Sequence, residues 1–309
     1  MKPLLLKKND KIGVITPSNS ITEQLMPQFN QGVAYLKNLG FEIVIGKHAL
    51  ANTLGYSATP EEKADDINAM FKDSSIRAII CSQGGDTANT CLPLLDFENI
   101  KKNPKIMVGI SDITVLLNAI YARTGVITFH GNDLVWGFGR ETRPYDRQEF
   151  IERFIHGKIG LISSNGTRTT IRGGKATGRL LGGNLRCLLK LAGTPYFPDF
   201  ADSVLFLESF GFSPELCFCY CMQLEQLGVF YKVKGIVIGH ICNEAAENRT
   251  VQMADVVERV TAKYGLPILK VNDFGHNCAN TVLPVGVKVG LNADEKTIEI
   301  LEECLESLK

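Results

Sequence analysis

Residues 105–120 read Lys-Ile-Met-Val-Gly-Ile-Ser-Asp-Ile-Thr-Val-Leu-Leu-Asn-Ala-Ile, and this stretch decides how the chain is interpreted. An apolar run ends at Gly109, Ser111 stands at the bend, and a helical pattern follows at once. Such a strand–turn–helix lifts a serine Oγ clear of the backbone, and the first N–H groups of the helix point to where an oxyanion would form. Because serine is also a common helix N-cap, the pattern leaves two alternatives, a nucleophile and a plain cap.

The composition is that of an ordinary globular protein. The 309 residues exceed what one hydrophobic core usually holds, so two domains are expected. The 33 basic side chains balance 33 acidic ones, which leaves no overall field to attract nucleic acid or an anionic membrane. No apolar run reaches the length of a membrane span or of a signal-peptide core. We therefore expect a cytoplasmic protein without nucleic-acid or membrane partners.

The nine cysteines favour reduced thiols over disulfides in such a chain. Cys217, Cys219 and Cys221 have C-x-C-x-C spacing without a matching His/Cys pair, inside an amphipathic helical pattern that begins at Pro214. This context favours packing over zinc binding. No metal and no organic cofactor is predicted.

Strand and helix patterns alternate through the first half of the chain. Helices are predicted at about 23–38, from Thr59 and after Ser111, and strands at 11–16, 41–45, 77–81, 105–108 and 126–130. This alternation predicts right-handed βαβ units and a parallel sheet with its ligand site at the carboxyl ends of the strands. Four polar or glycine-rich segments fall at those ends and predict a site there: 17–19, 82–86, Ser111 and 130–132.

The texture of the sequence changes at about residue 157, where Gly, Ser, Thr, Arg and Lys become dominant up to residue 175. Beyond it, further strands are predicted at 203–208, 235–240 and 297–302. The predicted fold class is α/β: an N-terminal Rossmann-like parallel-sheet domain and a smaller mixed α/β C-terminal domain with its own sheet. The predicted boundaries are 1–160 for the first domain, 161–177 for a linker and 178–309 for the second domain.

A serine nucleophile needs a base and an acid that orients the base. Of the five histidines, His276 lies in a polar, glycine-containing loop after a predicted strand and is preferred to His130, which ends another strand. Glu208 closes the apolar run 204–207, so its carboxylate needs a partner, either this base or an Arg or Lys. Asp112 is the competing acid, although its side chain fits a cap of the following helix better.

Gly84 and Gly85 follow the third predicted strand. Two glycines let the main chain approach a substrate without a Cβ clash, so this turn could supply half of an oxyanion hole. Asp86 would then cap the next helix. The alternative is an ordinary turn between a strand and a helix.

Six segments taken together resemble the LD-carboxypeptidase family, in the family's order and over essentially the whole chain: 84–85, 109–112, 129–131, 178–184, 205–208 and 274–276. The resemblance implies a triad of Ser111, Glu208 and His276, with the acid and base supplied by the second domain. It also implies an oxyanion hole from the N–H groups of Gly85 and Asp112, and a homodimer. The active site should then lie in the groove between the domains.

The resemblance implies hydrolysis of the L,D-peptide bond to the terminal D-alanine of cytosolic murein tetrapeptides. The alternative is the microcin C self-immunity branch, which cleaves adenylate antibiotics and which residues 84–89 and 193–196 resemble somewhat more closely. That branch has a Trp before its glycine-rich Asn motif, whereas 163–175 has none here and the single Trp is Trp136. A remote alternative is a non-catalytic peptide or sugar binder. Four residues are candidates for substrate binding: Asp86, His130, Asn132 and Asn184.

Overall fold

The computed structural model describes residues 1–211, 213–242 and 251–307. Its helices of at least one α-turn are α1 (Met26–Asn38), α2 (Pro60–Lys72), α3 (Phe97–Lys102), α4 (Thr114–Thr124), α5 (Pro144–Phe150), α6 (Leu185–Leu188), α7 (Pro214–Gln226), α8 (Val229–Lys232) and α9 (Met253–Val260). Two short π-helices span Leu134–Phe138 and Ile151–Ile155.

The first sheet has six strands: β1 (Lys11–Ile15), β2 (Glu42–Ile45), β3 (Ile76–Cys81), β4 (Ile106–Gly109), β5 (Thr128–His130) and β12 (Leu283–Val285). Their spatial order is β12-β5-β4-β3-β1-β2, and β1 to β5 pair in parallel. The predicted parallel sheet is therefore confirmed. The strand β12, from the C-terminal part of the chain, adds an antiparallel edge against β5.

The second sheet has eight strands: β6 (Gly160–Leu161), β7 (Thr169–Arg172), β8 (Lys175–Asn184), β9 (Ser203–Ser209), β10 (Gly235–Ile241), β11 (Ile268–Gly275), β13 (Lys288–Asn292) and β14 (Thr297–Ile300). The strands β8, β9, β10 and β11 are neighbours and run in parallel, whereas the outer strands pair antiparallel. The predicted mixed α/β character of the second half, with its own sheet, is thus confirmed.

The structure differs from the prediction at residues 161–177. This segment was predicted as a linker, but it contains β7, which pairs antiparallel with β11, and the start of β8. Its polar side chains hide the strand pattern because β7 is a partly exposed edge strand and the first residues of β8 alternate between exposed and buried. The boundaries at 160 and 178 remain predictions.

Local sequence explains several element ends. The helix predicted from Thr59 begins with a capping box, in which Glu62 N–H donates to Thr59 Oγ1 at 3.2 Å and Thr59 N–H to the Glu62 carboxylate at 2.8 Å. The predicted cysteine-bearing helix is α7, where Cys217 and Cys221 are buried and Cys219 is exposed. Within the described residues, no helix has both the length and the apolar character needed to cross a bilayer.

Candidate active site

A cleft of about 1320 Å³ lies at the carboxyl ends of strands from both sheets. All four segments predicted to form a site contribute to its lining, through Asn19, the 83–86 turn, Ser111 and Asn132. From the second sheet, Asn184 and His276 line the same cleft. The parallel strands bring these residues together because their carboxyl ends meet at one edge.

Ser111 lies at the turn between β4 and α4. Its φ angle is +63°, in the left-handed region that non-glycine residues rarely adopt, so the backbone is strained at this serine. The strain persists because Ile113 and the first seven residues of α4 are buried and fix the turn from below. A short 3-10 helix, Ser111–Ile113, leads into α4 at this turn. Among the described residues, no side chain caps the 3-10 helix or α4, so the plain-cap interpretation of Ser111 has no support.

The helix α4 also joins the turn at Ser111 to the second sheet. Thr114 Oγ1 accepts a hydrogen bond from Asn184 N–H at 3.0 Å, and Asn118 Nδ2 donates to the carbonyl of Gly182 at 2.8 Å. All four groups are buried. These contacts hold the end of β8 against the helix that follows Ser111.

The glycine turn after β3 packs directly against the serine. A Cβ at Gly84 would lie 2.6 Å from Ser111 Cβ and 3.1 Å from Asp112 N, which leaves room only for glycine. Gly85 has φ +142°, a conformation that L side chains rarely adopt. Within the described part of the chain, neither Gly85 N–H nor Asp112 N–H is used in a hydrogen bond. Both donors are therefore available beside Ser111.

We expect Gly84→Ala to lower kcat/KM by about 100-fold or more, since a displacement of about 1 Å at a reacting group has that effect. The new methyl group would displace Ser111, whose Cβ lies 2.6 Å from the Cβ position. Steady-state kinetics on the purified variant measures the loss. The matched control is Gly166→Ala, where the nearest atom to the new Cβ lies 3.9 Å away. Equal activity of the two variants would contradict the expected crowding.

Glu208 and His276 form a buried pair at the ends of β9 and β11. His276 Nδ1 lies 2.6 Å from a Glu208 carboxylate oxygen, and Asn184 Nδ2 donates to the other oxygen at 3.0 Å. Glu208 is fully buried, whereas the His276 side chain is 14% exposed toward the cleft. Because the carboxylate accepts, Nδ1 carries the proton, and Nε2 is left as the acceptor of the neutral ring.

The pair shifts the pKa of both groups. Burial alone would raise the pKa of Glu208, but the charge and hydrogen bond of His276, together with His130 and the Asn184 hydrogen bond, hold this pKa below its usual value. Burial alone would lower the pKa of His276, but the Glu208 carboxylate outweighs it and raises this pKa. The alternative partner for Glu208, an Arg or Lys, is not observed among the described residues. The arrangement can orient an imidazole and stabilise its protonated form.

Asp112 does not cap the helix that follows it, so this expectation is wrong. Its buried carboxylate accepts from Ser18 Oγ at 2.6 Å and from Ala88 N–H at 2.8 Å, and it pairs with Lys190. The Asp112 carboxylate thus holds the turn after β3 against the turn at Ser111. Asp86, expected to cap the helix after that turn, instead pairs with Arg186 at the exposed rim.

His130 lies in the core and not in the cleft, which contradicts its role as a substrate-binding candidate. Its ring is fully buried against Phe206 and Phe274, at centroid distances of 5.3 and 5.9 Å. Burial lowers its pKa to about 4, so the ring is neutral near pH 7. The strand end was visible in the sequence, but whether this side of β5 meets the cleft or the core depends on the pairing of β5 with β4 and β12.

Of the other candidates, Asn132 and Asn184 both line the cleft, and Asn184 also has a supporting position. Asn184 Oδ1 accepts from Cys187 N–H at 3.2 Å and so caps α6, while its amide group holds Glu208. Sequence reasoning missed the aromatic wall of the cleft: Tyr56, Trp136 and Phe210, which are 60%, 44% and 57% exposed. For Phe210 the available signal was a large aromatic side chain two residues after the predicted strand 203–208.

Two known proteins are similar to this chain over nearly their full lengths. The probable murein peptide carboxypeptidase of Bacillus subtilis (strain 168) is 31% identical over 303 residues, covering 97% of this chain and 94% of that protein. The microcin C7 self-immunity protein MccF of Escherichia coli is 31% identical over 339 residues, covering 99% of this chain and 98% of that protein.

The fold is similar to solved structures of the same group. The structure of MccF in complex with aspartyl sulfamoyl adenosine is similar with a TM-score of 0.91 and 29% sequence identity. The match covers 99% of this chain and 100% of that chain. Residues 12–131 match the LD-carboxypeptidase N-terminal domain, and residues 177–291 match the LD-carboxypeptidase C-terminal domain. The chain belongs to the LD-carboxypeptidase family, and it is a serine-type carboxypeptidase.

Proposed function

We propose that this enzyme hydrolyses the L,D-peptide bond to the terminal D-alanine of murein tetrapeptides in the cytoplasm, through an acyl-enzyme on Ser111. The observation that carries the proposal is the 2.6 Å contact between His276 Nδ1 and the buried Glu208 carboxylate, in the wall of the cleft that also holds Ser111. In this proposal the pair serves as the oriented base, and Ser111, at the strained turn in the same cleft, serves as the nucleophile.

In the proposed mechanism, neutral His276 accepts the proton of Ser111 as its Oγ attacks the scissile carbonyl. Glu208 keeps the imidazole in the required tautomer and stabilises the imidazolium. The N–H groups of Gly85 and Asp112 donate to the oxyanion of the tetrahedral intermediate. His276 then gives its proton to the leaving amine of D-alanine, and a water molecule, deprotonated by His276, hydrolyses the acyl-enzyme.

The substrate class rests on two observations. The murein peptide carboxypeptidase relative is similar over 97% of this chain. The segment 163–175 has no Trp, and the single Trp of the chain, Trp136, lies on the wall formed by the first half of the chain. The second candidate, an amidase that acts on aminoacyl nucleotide antibiotics, is supported by the TM-score of 0.91 with MccF in complex with aspartyl sulfamoyl adenosine.

A paired assay tests the proposal. Purified enzyme is incubated with murein tetrapeptide and, separately, with an aminoacyl-sulfamoyl adenosine, and the released D-alanine or amino acid is measured. We expect kcat/KM for the tetrapeptide to exceed that for the nucleoside by about 100-fold or more, because the pocket of a specific enzyme binds the transition state of its own substrate more tightly. The reverse order would overturn the murein assignment in favour of the second candidate.

We further propose that the chain functions as a homodimer, as the family resemblance implies. Analytical ultracentrifugation tests this proposal, and a monomer at micromolar concentration would contradict it.

We also propose that the chain has two domains, residues 1–160 and 178–309. The second sheet extends into residues 161–177 through β7 and the start of β8.

A further inference from the structure

The guanidinium of Arg140 lies over the ring of Trp136 on the wall of the cleft. Its guanidinium carbon is 4.3 Å from the ring centroid, and both side chains line the cavity. A guanidinium that stacks on an indole uses only its face for this contact. The contact with the ring uses none of the guanidinium N–H groups as hydrogen-bond donors to an oxygen, so they can still donate to an acceptor.

The indole beneath Arg140 is held in a fixed position. Asp133 accepts hydrogen bonds from Trp136 N–H at 2.7 Å and Gly137 N–H at 3.0 Å, which fixes the start of the short π-helix. The indole Nε1–H donates to Gln83 Oε1 at 3.3 Å. Gln83 directly precedes Gly84, so the Trp136 indole is hydrogen-bonded to the turn that packs against Ser111.

The other arginines of the cleft are already engaged. Arg186 pairs with Asp86, and Arg143 Nη2 donates to the carbonyl of Asn277 at 3.3 Å. Within residues 1–211, 213–242 and 251–307, Arg140 makes no close ion pair and no hydrogen bond; its guanidinium lies over Trp136, and its charge also acts on nearby Asp133. Arg140 is therefore a positioned cation whose hydrogen-bonding edge is unused.

We propose that Arg140 and Trp136 form an anion subsite that binds the free C-terminal carboxylate of the peptide substrate. The proposal rests on the proposed function, because an enzyme that removes one terminal residue must distinguish a chain end from an internal peptide bond. A planar guanidinium matches a carboxylate with two parallel hydrogen bonds, which an amide or an internal peptide group does not form.

Equilibrium binding tests the subsite without turnover. In the Ser111→Ala background, murein tetrapeptide with a free C-terminal carboxylate is compared with its C-terminal amide. Binding is followed by the fluorescence of Trp136, the single Trp of the chain, and independently by calorimetry. We expect the acid to bind about 10- to 100-fold more tightly than the amide, and Arg140→Gln to remove this preference while the affinity for the amide stays the same.

Two further variants sharpen the test. Arg123 also stacks on aromatic rings, at 5.5 Å from Phe97 and 5.8 Å from Tyr196, but it does not line the cleft. Arg123→Gln is therefore the matched control and should keep the full preference for the acid. Arg140→Lys keeps the charge without the planar fork and should keep only part of the preference.

The proposal is overturned if the acid and the amide bind equally when Arg140 is present, or if the preference survives Arg140→Gln. It is also overturned if Arg140→Gln weakens only the binding of an aminoacyl-sulfamoyl adenosine, since the subsite would then serve the anionic linker of a nucleotide. A protein that prefers the acid through Arg140 but does not hydrolyse the tetrapeptide supports the subsite and refutes the proposed reaction.

Discussion

Peptide hydrolysis by the Ser111→Ala variant is expected to be about 10⁴- to 10⁶-fold slower than by the wild type, the loss that follows removal of a serine nucleophile. The left-handed backbone at φ +63° is imposed by the buried turn between β4 and α4, so alanine should adopt it as serine does. The free energy of unfolding should change by about 1 kcal/mol at most, because no large buried group is removed.

Two measurements check this expectation. Single-turnover kinetics gives the rate of hydrolysis, and a fluorophosphonate probe labels the activated serine. The matched control is Ser20→Ala, because Ser20 also lines the cleft but its Oγ donates to the carbonyl of Tyr56 at 3.3 Å. Labelling should disappear in Ser111→Ala and persist in Ser20→Ala. Unchanged labelling or turnover in Ser111→Ala would remove this serine from the mechanism.

The Glu208→Gln variant is expected to lose about 10⁴-fold in kcat, the effect of replacing the orienting carboxylate of a serine triad by an amide. The glutamine has the volume of glutamate, so it fits the fully buried site between His276 and Asn184. It does not supply the negative charge that stabilises the imidazolium. Its amide N–H can also face Nδ1, which would favour the wrong tautomer of His276.

The pH dependence of kcat/KM gives a second readout of the same substitution. His276 must be neutral to act as a base, so activity rises as the pH increases through its pKa. Burial lowers this pKa and the Glu208 carboxylate raises it, and the net pKa in the wild type lies above the ordinary value for histidine. Glu208→Gln leaves burial and removes the carboxylate, so the acidic limb should move to lower pH.

Asp133→Asn is the control for the pH profile. Asp133 also raises the pKa of His276 by its charge but makes no hydrogen bond to it, and asparagine can still cap the π-helix. The limb should therefore move less than in Glu208→Gln, and kcat should fall far less. An acidic limb that stays at the wild-type pH in Glu208→Gln would contradict the assignment of His276 as the base.

Much of the fold could be predicted because the relevant signals are local. The alternation of short apolar strands with helical patterns predicts the parallel arrangement of β1 to β5, and the Thr59–Glu62 capping box marks a helix start. The strand β12 could not be predicted as part of the first sheet. Its pairing with β5 joins residues about 150 positions apart, and no periodicity encodes such a partner.

The chemistry of the candidate site divides in the same way. Sequence by itself determined the residue types and their places at strand ends: a serine at a strand–helix bend, a glutamate closing an apolar strand, and a histidine in a glycine loop. Only the tertiary structure decided their partners. In the folded chain Glu208 contacts His276, and the His130 ring is buried in the core. The Asp112 carboxylate accepts from Ala88 N–H, and the Arg140 guanidinium lies over the Trp136 ring. The physical reason is that a side chain's direction follows from local backbone geometry, whereas its partner depends on which strands and turns the packed core brings to the same edge.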